Sequence, residues 1–242
     1  FKRAKINVHT GTKVEKIEDH GDSVTVVISK DGNTEELKAE KALISIGVGP
    51  NSQGVGLEEV GVELDERGFI KVGDKMETNV PGIYAVGDVT GKMPLAHVAS
   101  AQGIIAAEAI DGQQPRALKY ANMPRCTYTH PEVASVGLTE AQAREQGYDV
   151  KVGQFPFQPN GKALGMHENV GFVKIVAESK YNEVLGVHMI GANVTEMLAG
   201  PTGMIGLETT LEELAQTVHP HPTMSEVIME AAHATLGHAI HM

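Results

Sequence analysis

Two prolines separated by a single residue, in His219-Pro220-His221-Pro222, constrain this chain more than any other feature. Each ring fixes its own φ and pushes the preceding histidine toward extended backbone, so neither helix nor regular strand can run through the segment. A His-Pro bond is also one of the few places where a cis peptide is tolerated. Regular structure must restart beyond it, and Thr223-Met224-Ser225-Glu226 offers a helix start at Thr223 that continues through Val227, Ile228, Ala231 and Ala232. The first turn carries Glu226 back toward the tether, where it can meet His221 as a carboxylate orienting a base. The same letters also read as a capping box, with Thr223 as N-cap and Glu226 as its reciprocal acceptor. The two readings carry equal weight on these residues alone. A third, with His219 and His221 as metal ligands, is weaker, because further ligands would have to come from His233, His238 or His241 by folding the tail back.

Composition excludes several classes. With 242 residues and 41% hydrophobic content, the chain can bury one large core or two modest ones. A formal charge of −11, from 31 acidic against 20 basic residues, argues against nucleic acid and favours a basic protein partner or none. No apolar run reaches the length of a membrane span, and no leader sequence is visible. Phe1 stands where a methionine would begin a chain, within what reads as a strand, and a truncation is expected. Cys126 is the single cysteine, so neither a disulfide framework nor a Cys-x-x-Cys pair can form within the chain.

Short apolar bursts at 6–8, 14–17, 23–28 and 42–46, with Asp31-Gly32 as a turn, predict a strand meander ending in a buried strand at 42–46. Gly-rich connections, a strand at 83–86 and an alanine-rich helix over 95–110 follow. Beyond Pro115 the pattern predicts strands near 125–129, 133–136, 150–157, 171–177 and 184–190. A helix capped by Thr139 and Gln142 and closed by Gly147 is expected, with later helices near 194–207, 210–218 and 224–236. Strands first and helices late predict an α+β unit with an antiparallel sheet and helices on one side.

Ile83-Tyr84-Ala85-Val86-Gly87-Asp88 places a carboxylate after a hydrophobic strand, where open α/β sheets bind ligands. Asp88 there can accept hydrogen bonds from a sugar or ribityl hydroxyl, or it is a plain turn aspartate, the commoner use. His97, opening the helix, reads as a polar residue at a helix start.

Together, 83–88, 94–97, 126–137, Phe155-Pro156-Phe157 and 221–226 resemble the pyridine nucleotide-disulfide oxidoreductases, most closely the branch that oxidises dihydrolipoyl groups. The resemblance covers nearly the whole chain in order and spacing. It implies α/β and α+β architecture in three parts: 1–46 as the end of an NAD-binding domain, 47–118 as the returning half of an FAD-binding domain, and 119–242 as a dimerisation domain. It implies that Asp88 binds flavin, that Pro94, Leu95, Ala96 and His97 line the isoalloxazine, and that Gly47 touches NAD. His221 becomes an acid-base catalyst with Glu226 as partner, acting in a homodimer on the flavin and disulfide of the other subunit. The dihydrolipoyl acyltransferase core of a 2-oxoacid dehydrogenase complex is the implied partner. The implied location is the cytoplasm, or the mitochondrial matrix in a eukaryote.

The chain departs from that family at three points. Val48-Gly49-Pro50 stands where relatives commonly carry arginine, and Gly200-Pro201 interrupts a helical stretch, so a kink or late helix start is expected there. The Gly-x-Gly-x-x-Gly loops for FAD and NAD and the two redox cysteines do not occur in these residues. The chain taken by itself is therefore expected to lack FAD and to be inactive. A catalytically silent dimerisation and docking module is the alternative from another class; mercuric and glutathione reductases are alternatives within the family.

Overall fold

A computed structural model describes residues 5–241. The backbone divides into two compact units, Phe1–Gly49 and Pro50–Met242.

The first unit is a three-stranded antiparallel meander, β1 (Lys13–Asp19), β2 (Val24–Lys30) and β3 (Asn33–Ala39), with β2 central. Lys30 pairs with Asn33 across Asp31-Gly32, whose φ angles of 50° and 82° make the turn that matches strand twist in a tight hairpin. Two sequence expectations are corrected in this unit. Residues 6–8 are irregular, and 42–46 forms no strand: Leu43 and Ile46 are each 93% exposed. Among the described residues no strand lies alongside 42–46 to take its backbone hydrogen bonds, so its apolar character alone does not make it a strand. The start of the chain at Phe1 lies outside the described residues.

The second unit opens with loops joined by single bridges, Leu64 to Ile70 and Glu77 to Tyr84. Residues 83–86 therefore contribute one bridge where a strand was expected. Helix α1 (Ala96–Ile110) follows and packs Ile105 and Ala106 onto Met76. The rest is a five-stranded antiparallel sheet in the order β4-β5-β8-β7-β6. Its strands are β4 (Arg125–Thr127), β5 (Glu132–Gly137), β6 (Val150–Pro156), β7 (Phe172–Glu178) and β8 (Val184–Gly191). The expected strand at 125–129 stops at Thr127, two residues early.

Alternation along β7 explains the layers. Val173, Ile175 and Ala177 face one core and Val176 the other. The larger core is covered by α4 (Val194–Met197), α5 (Ala199–Gly206), α6 (Leu211–Gln216) and α7 (Glu226–Leu236). On the opposite face α2 (Glu140–Glu145) seats Ala143 against Val150, Val176 and Leu185, so helices cover both faces and not one. Thr139 and Gln142 form the expected capping box on α2. The break expected at Gly200-Pro201 falls at Leu198, which ends α4 and precedes α5, leaving Pro201 in the first turn where its missing N–H costs nothing. Helix α3 (Gly161–Met166) was not expected.

Thr210 caps α6 with its own hydroxyl, while Glu213 returns a bond to the Thr210 amide at 2.9 Å. Thr210→Ala is expected to lower stability by about 1 kcal/mol. Chemical denaturation checks it: a shifted midpoint with an unchanged slope is the expected result.

Candidate active site

The tether reaches its place through buried anchors at its far end. Met224 is 5% exposed, within the core beneath α7. Asn160, also buried, accepts from the Ala163 amide to start α3 and donates Nδ2 to the Thr223 carbonyl at 3.1 Å. One side chain thus ties α3 to the end of the tether. Within the tether, the Thr223 hydroxyl donates to the Pro220 carbonyl at 2.7 Å, and His219 Nδ1 meets the Thr217 carbonyl at 2.8 Å. The His221-Pro222 bond is cis.

Glu226 divides its two oxygens. Oε1 meets His221 Nδ1 at 2.9 Å, and Oε2 accepts the Thr223 amide at 2.8 Å. The capping and orienting geometries therefore coexist on one carboxylate. The box is only half made, because the Thr223 hydroxyl is committed to Pro220, and regular α-helix begins at Glu226 and not at 223 or 224. Burial raises the Glu226 pKa, but the Thr223 amide and the His221 imidazole outweigh it and hold the carboxyl below its ordinary value. An ionised Glu226 accepts only, which keeps a proton on His221 Nδ1 and leaves Nε2 as the available nitrogen. The His221 side chain is 76% exposed, so that nitrogen is open to a reactant.

The flavin candidates lie along another stretch of the same unit. Asp88 begins a short 3-10 turn (Asp88–Thr90), and its carboxylate is exposed and bonded to no described residue. The preceding Gly87, at φ 81°, is pinned by Gln102: that fully buried amide accepts the Gly87 N–H at 2.7 Å and donates to the Tyr120 hydroxyl at 3.0 Å. Pro94, Leu95 and Ala96 lead into α1, whose N-terminus has no side-chain cap. His97 Nε2 meets the Pro124 carbonyl at 2.9 Å. Gly47 belongs to the first unit and has φ 123°, a conformation that favours glycine. His221 and Glu226 are thus brought together, and Asp88 through His97 share one segment; among the described residues no side-chain hydrogen bond joins the two groups.

Sequence reading missed the surroundings of His221. A cleft of about 340 Å³ is lined by Phe155, Asn160, His221, Glu226, Glu230 and His241 among others. The one available signal was the spacing of Glu226 and Glu230, which puts both carboxylates on one helical face. Gln102 gave no signal beyond its place in an alanine-rich helix. No group of metal-ligating side chains occurs among the described residues, and none of their helices is long and apolar enough to cross a membrane.

An antiparallel sheet backed by helices that present a tethered imidazole–carboxylate pair, preceded by a Gly-Asp turn and an uncapped helix, defines a recognisable class. Residues 123–232 match the pyridine nucleotide-disulphide oxidoreductase dimerisation domain, and residues 1–103 match the pyridine nucleotide-disulphide oxidoreductase domain. The chain belongs to this family. Its relatives include dihydrolipoyl dehydrogenases of Mycobacterium leprae, 54% identical over 99% of the chain and 52% of the relative, and of Mycobacterium tuberculosis, 50% identical with the same coverage. Among solved structures, LpdA from Mycobacterium tuberculosis superposes with a TM-score of 0.86 at 30% identity, covering 96% of this chain and 50% of that one. The flavoprotein disulfide reductase RclA from Escherichia coli gives 0.81 at 26% identity, covering 91% and 50%. The chain spans about half the length of the curated relatives it matches.

Proposed function

We propose that this chain is the C-terminal half of a flavin-dependent dihydrolipoyl dehydrogenase, in which His221 and Glu226 act as an acid-base dyad. The observation that carries the reading is the 2.9 Å contact between His221 Nδ1 and Glu226 Oε1, which leaves an exposed Nε2 on a rigid tether. A dithiol becomes a competent nucleophile toward a disulfide only as its thiolate. His221 Nε2 takes that proton, and Glu226 holds the ring's orientation and stabilises the imidazolium. The domain parts follow the same reading: 1–46 as the end of the NAD-binding domain with Gly47 at the nucleotide, 47–118 as the returning half of the FAD domain, and 119–242 as the dimerisation domain of a homodimer. The dihydrolipoyl acyltransferase core of a 2-oxoacid dehydrogenase complex supplies the dithiol.

Two features of these residues support the reading that they fit an FAD. An exposed, uncommitted Asp88 offers an acceptor for hydroxyl groups, and the uncapped amides of α1 at Ala96 and His97 offer donors to a polar ring edge. Pro94 and Leu95 would flank the ring. Bound flavin would supply two-electron acceptance from the dithiol and its delivery to NAD. Gln102 would keep the Gly87-Asp88 turn in place for it.

Glu226→Gln in a full-length protein tests the dyad against a purely capping role. Gln retains one acceptor oxygen and so can serve the Thr223 amide, but it cannot also accept from His221 as an anion. The expected result is a roughly 10- to 100-fold loss of dihydrolipoamide turnover, with no matching fall in thermal stability. Unchanged turnover would reduce Glu226 to a helix cap.

A further inference from the structure

Helix α7 carries two imidazole–carboxylate pairs, and the proposed mechanism uses only the first. Glu226 and Glu230 stand one turn apart on the same face. His221 reaches Glu226 from before the helix, and His241 reaches Glu230 from after it, with Nδ1 to Oε1 at 2.6 Å. Glu230 is 3% exposed and also accepts the backbone amides of Ile240 at 3.0 Å and His241 at 3.4 Å. Burial pushes its pKa up, but the His241 imidazole and these amides prevail and hold it low, so the carboxylate stays ionised. A buried anion with three donors from adjacent residues fixes the tail against the helix. The His241 side chain is nevertheless 70% exposed, and Nε2 is the nitrogen that Glu230 leaves available.

Both imidazoles line the same cleft. The rest of its wall is apolar, from Phe155, Pro159, Val227 and Met229, apart from Gly161 and from Asn160, whose side chain is committed to the Ala163 amide and the Thr223 carbonyl. An apolar slot with two spaced polar positions suits a thin aliphatic chain bearing a reactive group at one point and a hydrogen-bonding group at another. We propose that the cleft seats the dihydrolipoyl arm and that His241 is a second substrate-binding residue, its Nε2 hydrogen-bonding the amide of the arm while His221 serves the dithiol. This rests on the functional reading above.

The test compares two dithiols on the full-length protein, wild type and His241→Ala. Dihydrolipoamide has the arm and the amide; propane-1,3-dithiol has neither. Loss of the ring leaves Glu230 the backbone amides of residues 240 and 241, and the thermal stability of the variant is measured beside the kinetics, with His241→Asn, which keeps a side-chain donor, as the second variant. The expected result is a KM for dihydrolipoamide raised about tenfold, as for the loss of one hydrogen bond in a binding site, with kcat little changed and the KM for propane-1,3-dithiol unaffected. Active wild-type enzyme combined with an unchanged dihydrolipoamide KM in the variant overturns the role of His241 alone. So does an equal rise for both dithiols, or a fall in kcat at constant KM. Wild-type enzyme that oxidises neither dithiol overturns the functional reading, and this one with it.

Discussion

Replacing His221 with Gln in a full-length protein lowers dihydrolipoamide turnover by roughly 10²- to 10⁴-fold, the contribution of a positioned general base. Gln is close to imidazole in length and retains a donor for Glu226, but it has no nitrogen that takes up a proton near neutral pH. The thiol then has no base, and attack on a disulfide waits on the small thiolate fraction present at neutral pH. Stability and flavin content should be unaffected. The His221 side chain is 76% exposed, Glu226 keeps its bond to the Thr223 amide, and His97 is bonded to the Pro124 carbonyl and not to the tether. Steady-state kinetics beside the visible flavin spectrum reads both quantities at once. Near-normal turnover with bound flavin would remove His221 from the mechanism.

Phe155→Ala lowers stability by about 3–5 kcal/mol, the usual cost of deleting a buried aromatic ring. Phe155 is 1% exposed, pairs with Val173 across β6 and β7, and shares a core with Val227 and Ala231 of α7. Its loss leaves a ring-sized void under the helix that presents Glu226 and Glu230. Neighbouring Gly153 shows how close that contact is: a Cβ there would lie 2.5 Å from the Thr235 backbone nitrogen, so α7 rests directly on the strand. Phe155→Leu keeps most of the volume and is expected to cost under about 1.5 kcal/mol. Denaturant unfolding of the two variants checks the order; equal and small losses would mean that α7 does not depend on this contact.

The sheet of the second unit was legible because its strands alternate. In β7 the alternation of Val173, Ile175 and Ala177 with Lys174 marks the strand whatever lies around it, and Thr139 with Gln142 announces its cap locally. The failures are places where structure depends on something remote. Residues 42–46 look like a buried strand, but burial needs neighbours, and Leu43 is exposed. Asn33–Ala39 is too polar to signal a strand and becomes one because β2 pairs with it along its length. At the site, His221 and Glu226 are five residues apart with only one turn between them, so their meeting could be read from the chain. His241 and Glu230 are eleven residues apart, and their contact requires the tail to double back past Gly237, at φ 93°. Gln102 reaches Gly87 across fifteen positions and was equally invisible.

The central claim is that His221 acts as a base on a disulfide held by the other subunit of a homodimer, and subunit complementation tests it most directly. A heterodimer is assembled from one full-length subunit carrying His221→Gln and one lacking a redox cysteine, and its dihydrolipoamide oxidation is measured. The account predicts one working site in each heterodimer, where the intact disulfide of the first subunit meets the intact His221–Glu226 pair of the second. A heterodimer no more active than either variant homodimer would contradict it.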